Sequence, residues 1–133
     1  MFYDVLKDIS SCEENKEHLF TAIKMSYREV YEKVLEKENF DFNIVDNNGN
    51  NILMCLLKIK DYELVSKYIL NKNFDINHQN NDGDTITHML MSYNYTDIKE
   101  ILEKVIKRDD FLINIKNNNN ETILDKSINN KYL

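Results

Sequence analysis

Apolar residues in this chain fall into short helical stripes separated by polar turns, and the alternation recurs. In TDIKEILEKVIKRDD, Ile98, Ile101, Leu102, Val105 and Ile106 stand at i, i+3, i+4, i+7 and i+8, with Glu100, Glu103, Lys104 and Lys107 outside that stripe. Such spacing gives a helix one apolar face. DYELVSKYILNKN carries a similar pattern. A shorter apolar run precedes each of these segments, as in Ile52, Leu53, Leu56 and Leu57. The spacing predicts short first helices over roughly 52–59, 86–93 and 123–129, and a second helix after each of the first two.

The polar segments are the most informative part. Phe40-Asp41-Phe42-Asn43 recurs as Phe74-Asp75-Ile76-Asn77 and as Phe111-Leu112-Ile113-Asn114, at intervals of 34 and 37 residues. A period in the low thirties marks a stacked repeat whose units bury apolar surface only against neighbours. Each phrase leads into a turn with Gly49, Gly83 or Asn120 at the matching position. Gly accepts positive φ without steric cost and Asn is the next most tolerant residue. Two residues on stand Asn51, Thr85 and Thr122, each suited to cap the next helix. Asn73 and Asp110 occupy places where a helix often ends in a left-handed residue. The three extra residues of the third copy are assigned to its second helix or the exit from it, close to one helical turn.

The register extends upstream: REVYEKVLEKENF overlays YELVSKYILNKNF, and EHLFTAIK overlays NILMCLLK. Residues before 40 therefore read as a first helical pair without the turn glycine, an atypical cap. Met1 to Ile9 reads as an additional helix. The units are 1–39, 40–73, 74–110 and a partial 111–133, together one domain. The last stops at Lys131-Tyr132-Leu133, where a second helix would begin, so the chain is expected either to continue in a longer protein or to end in a short cap.

These residues resemble the ankyrin repeat, a β-turn and two antiparallel helices every ~33 residues with a T-P-L-H element. Thr85-Ile86-Thr87-His88 is similar to that element, and FDFN, FDIN and FLIN are similar to the family's A-D-V-N. The prolines are lost and the last turn lacks Gly. The resemblance implies an all-α solenoid of stacked antiparallel helix pairs joined by β-turn loops. It also implies that His88 ties adjacent turns by a hydrogen bond. Asn43, Asn77 and Asn114 match an asparagine that is hydroxylated in some ankyrin proteins, with a turn-stabilising role as the simpler reading.

Composition narrows the function classes. With 17 basic and 23 acidic residues the formal charge is -6, which argues against general affinity for nucleic acid. No apolar stretch approaches the ~20 residues of a membrane span. The start, MFYDVLKDISSCEEN, lacks the basic, apolar and cleavage regions of a signal peptide. Cys12 and Cys55 lack zinc-site or redox spacing, so free thiols in an intracellular, cytoplasmic setting are expected. Ankyrin chains with this Asn, Ile and Lys bias are often host-directed, which places the protein in host cytoplasm if its source is a virus or intracellular pathogen.

Catalytic chemistry finds no constellation, and no metal or cofactor is expected. His18 and His78 have no ligand-spaced partner. Glu29, Glu32, Glu36 and Glu38 interleave with lysines as a solvated helix face. Two glycines cannot build a Gly-rich phosphate loop. Function is therefore sought on the surface of turn tips and first helices that such solenoids present. The register turns Asn47, Asn48, Asn50, Lys58 and Ile59 outward in the second unit and Asn81, Asp84, Ser92 and Tyr93 in the third. Asn118, Asn119 and Glu121 follow in the last, and Lys24 and Met25 in the first. Ile59 and Tyr93 are the apolar members, and large apolar anchors dominate binding when desolvated. The expected partner is another protein or an extended peptide, centred on Ile59 and Tyr93; Tyr93 packing on its neighbour helix is the competing reading. The alternative function is self-association, or a spacer in a longer protein, with the chain monomeric or weakly self-associating.

Overall fold

The computed structural model describes residues 13–130, and the expected helix at Met1 to Ile9 lies outside that range. Among the described residues seven helices follow one another: α1 (Glu13–Lys24), α2 (Arg28–Leu35), α3 (Ile52–Lys58), α4 (Tyr62–Tyr68), α5 (Ile86–Leu90), α6 (Tyr95–Lys107) and α7 (Ile123–Ile128). They form three pairs and a final single helix. The first helices α1, α3, α5 and α7 pack side by side in one row, and α4 packs on α6 in a second. Among the described residues there is no strand, only an isolated antiparallel bridge between Val45 and Asn51 inside the first turn.

Helices of five to eight residues do not persist alone, because nucleation consumes most of their hydrogen bonding. Caps and burial supply the difference. Asn51 Oδ1 accepts the Met54 N–H at 3.0 Å, Asp61 Oδ1 that of Leu64 at 3.3 Å, and Thr85 and Thr122 Oγ1 those of His88 and Asp125 at 3.2 Å. His88 and Asp125 return the contact to the Thr85 and Thr122 N–H groups, completing two capping boxes. Each cap stabilises its helix by about 1 kcal/mol. Leu53, Met54, Leu56 and Leu57 are wholly buried, since α3 sits between α1 and α5.

The third unit absorbs its extra length in α6. Asp61 and Asn94, the caps of α4 and α6, are 33 residues apart, whereas Phe74 and Phe111 are 37 apart. Four residues, about one turn, are thus added within the helix, and Ile98, Ile101 and Val105 stay buried on one face. Arg108, at the exit of α6, reaches back across the unit boundary. Its guanidinium donates to the carbonyls of Ile69 (2.8 Å), Asn71 (3.1 Å) and Phe74 (2.8 Å) and pairs with Asp110.

Two local expectations are corrected. Asn73 and Asp110 are not left-handed; among the described residues, the positive-φ positions outside glycine are Ser26, Asn39, Lys60 and Asn120. Asn73 is held instead by its N–H bond to Asn71 Oδ1 at 2.8 Å, and Asp110 by Arg108, so each chain reversal closes without positive φ. The first helix of the third unit ends at Leu90 rather than near 93, its last residues forming a turn.

Candidate binding face

The turns that precede the first helices are copies of one another and bond to each other in series. Asp46, Asn80 and Asn117 each open a turn and accept two backbone N–H groups on Oδ1: those of Asn48 and Asn50, of Asp82 and Asp84, and of Asn119 and Glu121. Successive turns then join. The Asn81 N–H donates to the Asn48 carbonyl and the Asn118 N–H to the Asp82 carbonyl, each at 3.0 Å. Asn81 and Asn118 add side-chain bonds to the Asn47 and Asn81 carbonyls at 3.1 and 2.8 Å. His78 Nε2 meets the Gly49 carbonyl at 2.6 Å, and the buried His88 Nε2 meets the Glu121 carbonyl at 3.0 Å. The expected tie between turns through His88 is therefore present, and His78 makes a second one that the sequence did not announce.

A parallel ladder runs through the repeated phrase. Asn43 donates to the Asn73 carbonyl (2.6 Å) and accepts the Asp75 N–H (2.8 Å); Asn77 does the same with Asp110 (2.7 Å) and Leu112 (3.0 Å). These amides hold one unit to the next.

The outward residues separate into three groups. Asn47, Asn48, Asn81, Lys58 and Ser92 are exposed, as are Lys24, Met25, Asn118 and Asn119. Ile59, Asp84, Tyr93 and Glu121 are half-buried. Asn50 departs from expectation: it is 2% exposed and its Oδ1 accepts from Asn80 Nδ2 at 2.9 Å, so it links turns and does not face outward. Asp84 accepts from Asn117 Nδ2 at 2.8 Å and lies 4.0 Å from Lys126 Nζ. Tyr93 stands edge-on to Tyr62, ring centroids 6.2 Å apart. Burial first, then Tyr62, raises the Tyr93 hydroxyl above its ordinary pKa. The competing reading of Tyr93 as a packing residue thus describes much of its surroundings.

Ile59 has a different setting. It lines an open cavity of about 430 Å³ between α1 and α3, with Phe20, Cys55, Lys24, Lys58 and the turn residues Asp46 and Asn47 among its walls. Sequence reasoning missed Phe20, Asp46 and Cys55. Phe20 and Cys55 stand four residues before Lys24 and Ile59, so the i, i+4 neighbour rule carried the signal. The Cys55 Sγ lies 3.4 Å from Asp46 Oδ2. Burial, reinforced by that carboxylate, pushes the thiol well above its usual pKa. Cys55 is part of the cavity wall. No group of three or more His, Cys, Asp or Glu side chains is placed to hold a metal among the described residues. None of the described helices is long and apolar enough to cross a membrane.

No known protein-family model matches the sequence, and no curated protein is similar to it. The solved structures are informative about fold. The chain is similar to the ankyrin repeat domain of Bcl-3, described as a unique member of the IkappaB protein family, with a TM-score of 0.61 and 21% identity. The match covers 82% of this chain and 46% of that one, so this chain spans about half the length of its structural neighbour. Its fold is that of an ankyrin-repeat domain, an all-α stack of turn-linked helix pairs.

Proposed function

We propose that this protein is a non-catalytic interaction module that binds another protein through the face made by its turn tips and first helices. The observation that carries this reading is the contrast along that face. Backbone and amide groups of the turns, the Asn81 side chain included, are consumed by the ladder between units, whereas Asn47, Asn48, Lys58 and Ile59 leave side chains available at an open cavity. A rigid platform with exposed polar tips and an apolar recess suits an extended partner segment. The units 1–39, 40–73, 74–110 and 111–133 act as one platform, in an intracellular setting and without nucleic acid, membrane or cofactor.

The experiment is affinity capture with the whole chain against two variants. Ile59→Ala/Tyr93→Ala alters the proposed face, and Lys99→Glu/Glu103→Lys alters exposed positions on α6. The retained protein should be lost with the first variant and kept with the second. Retention by a folded Ile59→Ala/Tyr93→Ala variant removes the proposal. A host protein as that partner, the reading attached to the residue bias, is tested by capture from host lysate.

A second reading, self-association, draws on the other end of the stack. Ile113, Leu124 and Ile128 are 54%, 64% and 75% exposed, although their counterparts Ile76, Leu53 and Leu57 are buried to 1% or less. Apolar ends of this kind favour end-to-end packing. Sedimentation across a concentration series should show rising mass that Leu124→Asp/Ile128→Asp abolishes; a constant monomer mass would remove this reading.

A further inference from the structure

The cavity between α1 and α3 differs from the rest of the binding face in its charges. Toward α7, Lys126 approaches Asp84, and Tyr93 is engaged by Tyr62. Toward α1, Lys24 and Lys58 stand exposed at the cavity, and no carboxylate lies within 4 Å of either ammonium among the described residues. The one carboxylate in the cavity wall, Asp46, is already occupied: Oδ1 accepts from Asn48 and Asn50, and Oδ2 faces the Cys55 thiol. The lining also includes the apolar side chains of Phe20, Ile23 and Ile59, with Cys55 beside them.

We infer that this cavity receives a linear protein segment in which a large apolar side chain is flanked by carboxylates. The inference rests on the proposed binding face and gives its partner a chemistry. The apolar side chain would fill the recess against Phe20 and Ile59, and adjacent Asp or Glu would meet Lys24 and Lys58. The exposed turn tips Asn47 and Asn48 also line the cavity and would serve as its polar rim. The chain carries a net charge of -6, so it repels an acidic segment at long range. Recognition must therefore come from the two local ammonium groups at short range. That makes the lysine pair a selector of partner more than a source of encounter rate.

Selection from a random linear peptide phage library on the immobilised whole chain tests this, followed by fluorescence anisotropy of the enriched peptides. The enriched set should carry Asp or Glu within one or two positions of a large apolar residue. Lys24→Glu/Lys58→Glu should weaken binding by about tenfold or more, as should Ile59→Ser, and high salt should weaken it in the wild type. Lys99→Glu on α6 should leave affinity unchanged. Should the charge-reversed variant lose its circular dichroism, Lys24→Gln/Lys58→Gln takes its place, with a smaller loss expected. Enrichment without acidic bias, absence of enrichment, or undiminished binding by the folded lysine variant overturns the inference. The broader reading falls separately, since capture of a protein that depends on Ile59 and Tyr93 survives a negative peptide selection.

Discussion

A Cβ placed on Gly83 would stand 2.6 Å from the backbone nitrogen of Asn118 in the next turn. At Gly49 the equivalent distance, to the nitrogen of Asn81, is 2.9 Å. Both glycines also have positive φ, 78° and 75°. They are thus required twice, by their own conformation and by the turn that closes over them. Asn120 shares the conformation, at φ 62°, but no described turn stacks on it. Gly83→Ala should accordingly cost about 2 kcal/mol or more, whereas Asn120→Gly should change stability by no more than about 0.5 kcal/mol. Urea unfolding of the two variants measures the difference; equal effects would contradict the role given to the stacked turn.

The asparagine ladder makes a similar comparison. Asn77→Ala removes two hydrogen bonds, one to the Asp110 carbonyl at the end of the third unit and one from the Leu112 N–H in the fourth, and about 1–2 kcal/mol should be lost. Asn114 occupies the same place in the final phrase and is exposed, with no bond to a following unit among the described residues. Asn114→Ala should be nearly neutral in the same urea series.

Alkaline pH should weaken the fold. Burial first, then the hydrogen bond to Asp61 at 2.7 Å, raises the Tyr31 hydroxyl far above its ordinary value of 10.0, and burial does the same to the Cys55 thiol, ordinarily 9.0. Both groups keep their protons in the folded state over a range where the unfolded chain has released them. Their contribution is complete below the ordinary values and is lost as pH rises through them toward the folded ones. Urea midpoints should therefore be level near neutrality and fall above about pH 9, with Tyr31→Phe flattening the slope. A midpoint independent of pH up to about 10.5 would refute this.

The same burial predicts a silent thiol. In a Cys12→Ser background, Cys55 should react with a thiol-specific disulfide reagent far more slowly in the folded protein than in urea, because the thiolate is the reactive form. Comparable rates in both states would show that the cavity wall is open to reagent.

Amide exchange should be graded along the stack. α3 and α4 lie between neighbours on both sides and should exchange slowest, and residues 111–130 fastest, since within α7 only Ile123 is buried. Fast exchange in Ile52–Tyr68 together with slow exchange in the final unit would reverse this order.

Periodicity carried much of this architecture. The recurrence of the FDFN phrase, the turn residues and the caps Asn51, Thr85 and Thr122 identified a stack of helix pairs, because each is a local requirement written within a few residues. Helix ends were less legible: α5 stops early, and Asn73 and Asp110 are held by Asn71 and Arg108 instead of by positive φ. Arg108 shows why, since its partners Ile69, Asn71 and Phe74 lie 34 to 39 residues back and no local pattern joins them.

The face itself divides in the same way. The sequence alone determined which positions recur on the first helices and turn tips, because a repeat fixes its outward register. Only the tertiary structure decided how those positions are used. It turned Asn50 inward onto Asn80, set Tyr93 against Tyr62, and opened the recess that joins Ile59 to Phe20 and Cys55. The physical reason is that a side chain's exposure depends on how closely the next unit approaches, and that distance is set by packing between segments some 34 residues apart.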